Sequence, residues 1–124
     1  MTKPLAVVFY ESLLPGSRLV NRLTDLGYRV QTVTAAPELA ATLRREPPMV
    51  LVAQLNPRGE DVPAIVAAVK AEPALAHLPV IGYLPPRQSK IESAALAAGV
   101  NLVATETAVL DQLPQLLEHA LAVD

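Results

Sequence analysis

With 124 residues and no cysteine, the chain has the length of one ordinary domain able to bury a single core, and disulfide staples, thiolate chemistry and cysteine metal sites are excluded. Hydrophobic residues make up 52% and aromatic residues only 3%, so that core must be built from Ala, Val, Leu and Ile. A net charge of -2 gives no electrostatic case for a nucleic-acid partner. No apolar run reaches the roughly 18 to 20 residues of a membrane helix, and the N-terminus lacks the form of a signal peptide.

LAVVFY (5–10) is β-branched and nearly continuous, the form of a central strand covered on both faces. A helix is predicted to follow near Pro15, with Leu19, Val20, Leu23 and Leu26 on one face and Gly27 as its stop. YRVQTVT (28–34) alternates and predicts a second, more peripheral strand, with Thr34 placed to cap the next helix. Pro37 near that helix's start, Leu39 and Leu43 on its inner side, Arg44 and Arg45 near its negative end, and Pro47-Pro48 beyond it describe a short helix. MVLVA (49–53) is the third strand and Asn56 to Gly59 a turn. Val62, Ile65, Val66 and Val69 then stripe a third helix, which Asp61 caps. PVIGYL (79–84) predicts a fourth strand, 87–98 a fourth helix ended by Gly99, and NLVATE (101–106) a fifth strand. One last helix carries Leu113, Leu116, Leu117, Ala120 and Leu121. Apolar runs alternating with amphipathic stretches are the sequence form of βα units around a parallel sheet.

Five such units in a chain of this size resemble the receiver domain of bacterial response regulators over residues 4–122. The segments that carry the resemblance are AEPALAHLPVI before the fourth strand, AALAAGV at the end of the fourth helix and LGYRV at the entry to the second strand. The resemblance implies a flavodoxin-like, doubly wound (βα)5 sandwich of three layers. Its parallel five-stranded sheet would run in the order 2-1-3-4-5, with the site at the carboxyl ends of the strands. It further implies a single domain over 4–122 with no output domain attached.

That family has an acidic pair after the first strand, a phosphoacceptor Asp after the third, Thr or Ser after the fourth and Lys after the fifth. Counted back from Leu26-Gly27-Tyr28, the acidic pair falls on Tyr10 and Glu11. Counted back from Pro57, the phosphoacceptor position is Ala53, with Gln54 the alternative one residue along. Counted from Gly99, the hydroxyl position is Leu84, the aromatic switch position Val103 and the Lys position Glu106, followed by Thr107 where the family has proline. An aspartyl phosphate needs a carboxylate nucleophile, a cation held by further carboxylates, and groups that neutralise the phosphoryl oxygens. Ala53 and Gln54 offer no nucleophile and Leu84 no hydrogen bond. Glu106 sets like charge against a phosphoryl group, a repulsion of roughly several kcal/mol in a partly desolvated site. Phosphorylation is therefore expected to be lost while the fold is kept.

No other constellation points to an enzyme. Ser12, Ser17, Ser89 and Ser93 stand in no nucleophile elbow, and the five glycines form no phosphate-cradling loop. His77 and His119 are far apart, without a second ligand at metal spacing. Glu60-Asp61 is a solvated loop in which Asp61 caps a helix. Glu11 and Glu106 alone make only a weak, water-rich magnesium site, so no metal, cofactor or catalytic residue is expected.

The resemblance with its reactive positions lost implies a stand-alone pseudo-receiver, cytoplasmic and part of two-component signalling or a phosphorelay. It would act on a protein partner without being phosphorylated. Two faces are open to it. One is the first helix with the strand-end loops. The other is the surface of the fourth helix, fifth strand and last helix, where Lys90, Ile91, Glu92, Val103, Leu110 and Gln115 lie and where a homodimer would form. Pro85-Pro86 stiffen the loop after the fourth strand, as suits a constitutive surface. A different class of function is a small-molecule sensor using a strand-end crevice lined by Tyr10, Glu11, Gln54, Leu84 and Glu106. Tyr10 and Tyr83 either line such a crevice or close the sheet with their hydroxyls wet.

Overall fold

A computed structural model describes residues 3–11, 13–55, 61–85 and 87–121. Five strands, β1 (Leu5–Phe9), β2 (Arg29–Val33), β3 (Val50–Gln54), β4 (Val80–Leu84) and β5 (Leu102–Thr105), alternate with helices. These are α1 (Leu13–Asp25), α2 (Ala36–Arg45), α3 (Val62–Lys70), α4 (Ser89–Ala98), α5 (Glu106–Asp111) and α6 (Leu113–Leu121). All pairings are parallel and the strand order is β2-β1-β3-β4-β5, the doubly wound topology expected from the sequence.

Strand composition follows position in the sheet. Every residue of β1, β3 and β4 is buried, because helices cover both faces. The edge strands β2 and β5 are partly exposed. Alternation along each strand divides the core in two. Leu5, Val7, Phe9, Leu51, Ala53, Val80 and Leu84 pack with Leu39 and Leu43 of α2, Val62, Val66 and Val69 of α3 and Ala95 of α4. Ala6, Val8, Val50, Val52, Ile81 and Tyr83 pack with Leu19 and Leu23 of α1, Val109 of α5 and Leu113, Leu117 and Ala120 of α6. Each large aliphatic side chain buried in this way contributes about 1.5 to 3 kcal/mol.

Local signals behave as their chemistry requires. Asp61 caps α3 by accepting from the Ala64 N–H at 3.1 Å. Gly99 ends α4 in the left-handed region, with φ of 108°. Below the amino ends of the strands, Asn101 Oδ1 accepts from the Val80 N–H at 2.9 Å and from Lys70 Nζ at 3.2 Å. Lys70 Nζ also donates to the Gly99 carbonyl at 2.7 Å, at the negative end of α4. Desolvation of its half-buried ammonium lowers the Lys70 pKa.

Five expectations are corrected. The last helix is two, because Pro114 has no N–H for the Leu110 carbonyl and its ring crowds that oxygen, so the chain breaks at Gln112. Glu106 is the first residue of α5 rather than the end of a strand, since the Thr105 hydroxyl accepts from the Ala108 N–H and starts a helix there. Thr34 does not cap α2. Ala35 stands at that position without a side-chain bond. Leu26 lies past the end of α1 and is 44% exposed, the chain having turned at Gly27 with φ of 96°. Met49, 49% exposed, precedes β3 instead of opening it. Ser12, the turn at Asn56 to Gly59, Glu60 and Pro86 lie outside the described residues.

Candidate functional site

The positions singled out from the sequence converge on the carboxyl end of the sheet, but in two layers. Phe9, Ala53, Gly82 and Val103 form one row of paired residues. Ala53 is fully buried there, its methyl in the core beneath α2, α3 and α4. Leu84, also buried, and the half-buried Val103 belong to that same side. One row further along, Gln54 pairs with Tyr83 and Tyr83 with Ala104, on the side covered by α1 and α5. Tyr10 packs on that side too. Strand parity therefore separates Ala53 from Gln54: the first points into the core, and the second reaches the end of β1.

Gln54 uses that position to tie two loops. Its Oε1 accepts from the backbone N–H of Glu11 at 2.9 Å. Glu11 itself is exposed. The Tyr10 ring packs against α1 at Gly16, where a Cβ would come within 2.4 Å of it. Glycine at this point of α1 is thus what allows the aromatic lid to close on the sheet.

Of the two roles open to Tyr83, the wet rim hydroxyl is not the one observed. Its side chain is fully buried and the hydroxyl has no hydrogen-bond partner among the described residues. Burial pushes the phenol pKa up, and the negative charge of Glu106 and the neighbouring Tyr10 add to that. Alternation along VIGYL was the signal that placed Tyr83 beside Gln54 rather than at the rim.

Among the described residues no three acidic or imidazole side chains gather closely enough to hold a cation. His77 and His119 are both exposed and stand apart from the strand ends. Of the second candidate face, Ile91 and Val103 pack against one core, with Lys90 and Glu92 exposed on α4 beside them. Leu110 does not join them. It packs against the other core and lines a groove with Arg18, Arg22 and Asp25 of α1. Gln115 is exposed on α6. Leu96 of α4, 48% exposed, was not singled out from the sequence, since its Leu and Ala neighbours look like core-facing residues.

The fold these elements define is that of the response-regulator receivers. The chemotaxis response regulator CheY4 of Vibrio cholerae is similar with a TM-score of 0.78, over 93% of this chain and 99% of that one, at 17% identity. A response regulator receiver protein from Pseudomonas putida is similar with 0.81, over 95% and 98%, at 17% identity. NtrX from Brucella abortus is similar with 0.84 at 19% identity, over 98% of this chain and 27% of its own. At these identities the likeness is one of fold. No protein-family model matches the chain, and no curated protein matches its sequence.

Proposed function

We propose that this chain is a pseudo-receiver, a cytoplasmic signalling module of a single domain over residues 4–122 that docks on a protein partner without being phosphorylated. The observation that carries this reading is the use made of the β3 end. The side chain that reaches β1 is the amide of Gln54, engaged with the Glu11 N–H, and the neighbouring Ala53 is closed into the core. An amide and a methyl offer no nucleophile for phosphoryl transfer. Buried Leu84 offers no hydrogen bond to a phosphoryl oxygen, and the carboxylate of Glu106 would repel one.

Docking is the function left to such a module, and the surface of α4 and β5 supports it. Ile91 and Val103 are half-buried there, with Lys90 and Glu92 exposed on α4 beside Ile91. An apolar centre with a charged rim is the usual anatomy of a protein interface. No helix among the described residues is long and apolar enough to cross a membrane.

An amide NMR titration with Mg²⁺ and then beryllofluoride, a mimic of the aspartyl phosphate, tests the reading at Glu11, Ala53 and Glu106. Unmoved resonances are expected. Specific, saturable shifts at these strand ends would overturn it and make the chain a phosphorylated switch.

A further inference from the structure

The open edge of β2 and the outer side of α2 fit together as a surface used by neither candidate face above. Arg29 donates its N–H to the Pro4 carbonyl at 2.8 Å, and the Val33 carbonyl accepts from Tyr10 at 3.1 Å. Residues 29, 31 and 33 therefore turn their peptide groups toward β1, and Val30 and Thr32 turn theirs away from the sheet. No proline or lysine guards this edge within Arg29–Val33. Alongside it runs a groove of about 440 Å³, lined by Gln31, Thr32 and Thr34 on one side and by Glu38, Ala41 and Arg45 on the other.

The charges around the groove divide sharply. Arg44 is paired with Glu72 across to α3's end, and Arg29 with Glu46. Glu38 and Arg45, which face the groove, enter no ion pair among the described residues. They stand seven residues apart, about 10 Å along the helix axis. Their midpoint is Ala41, small and exposed, and Thr42.

We propose that β2 and α2 form a self-association surface on which a second copy of this chain docks antiparallel, its β2 extending the sheet. A two-fold axis normal to the sheet would place α2 beside its own copy in the opposite direction. Glu38 of each copy then lies against Arg45 of the other, and Ala41 lets the helices approach. The outward peptide groups of Val30 and Thr32 gain partners in the same step. An unrelated extended peptide could pair with the edge, but nothing would require it to carry both charges at this spacing. Self-complementarity favours the second copy. The inference is independent of whether the strand-end site is phosphorylated.

Sedimentation of the full chain over a range of concentrations tests it. A reversible dimer is expected. Arg45→Glu and Glu38→Arg, each checked for native circular dichroism, should weaken self-association about tenfold by setting like charges face to face. The double variant carrying both reversals should recover it. A monomer at every concentration overturns the proposal, as does a dimer indifferent to both single reversals or one that Lys90→Glu dissociates instead. Failure of the double variant to recover the dimer would overturn the pairing of Glu38 with Arg45.

Discussion

The two ends of the sheet differ in how fully their polar groups are paired. At the amino end they are claimed: Asn101 serves Val80 and Lys70, Lys70 also serves Gly99, and Arg29–Glu46 and Arg44–Glu72 pair over the surface. The arginine hydrogen bonds hold both glutamates below the usual carboxylate range. At the carboxyl end, where this fold elsewhere keeps its site, alanine and leucine are sealed into the core and a tyrosine hydroxyl is buried unpartnered among the described residues. The amino end holds elements together. At the carboxyl end apolar side chains fill the strand ends instead.

The largest effect should come from placing a carboxylate at that end. Ala53→Asp places a carboxylate where the side chain is fully buried among Phe9, Val33 and Leu84 in an aliphatic core. Because no group of side chains among the described residues is placed to hold a cation there, the charge must be neutralised or the strand displaced. Urea unfolding should show a loss of about 3 kcal/mol or more, and beryllofluoride binding should not appear. A stable variant that bound it would mean that residue 53 faces the pocket and that the two layers described above are wrongly divided.

Next in size is a comparison of two amides. Asn101→Ala strips a part-buried Val80 N–H of its acceptor and releases Lys70 as well, and should cost about 2 kcal/mol. Gln54→Ala strips the likewise part-buried Glu11 N–H of its acceptor and truncates a side chain that is itself buried, and should also cost about 2 kcal/mol. A much smaller loss for Gln54→Ala on chemical denaturation would show that water replaces the amide at the carboxyl end.

Much of this architecture was legible in the sequence because it rests on periodicity. The buried runs of β1, β3 and β4 and the stripes Leu39, Leu43 and Val62, Val66, Val69 need only the strand and helix repeats to be seen. Helix ends were harder, because they turn on single residues: Pro114 splits α5 from α6, and Thr105 starts a helix at Glu106. For the candidate site, counting from Gly99 and Pro57 located the strand ends but not which way each side chain points. A position one residue along a strand lies on the opposite face. That is why Ala53 and Leu84 fall with one core and Gln54 and Tyr83 with the other. Leu110, on α5, turned toward α1 because the helix starts at Glu106.

Tyr83 gives the smallest effect and the most discriminating sign. A buried hydroxyl without a partner is a net cost, so Tyr83→Phe keeps the ring's packing and should raise stability by about 1 kcal/mol. There is a second readout in alkali. Because burial raises the folded pKa above the ordinary value of 10.0, the unfolded chain releases this proton first. The tyrosine's contribution is then complete below pH 10 and falls away as pH rises further. Denaturation curves for Tyr83→Phe should accordingly lose less stability above pH 10 than those of the parent chain. If the substitution instead lowers stability at neutral pH, the hydroxyl has a partner. The strand end would then be as well satisfied as the amino end, and the contrast between the two would fall.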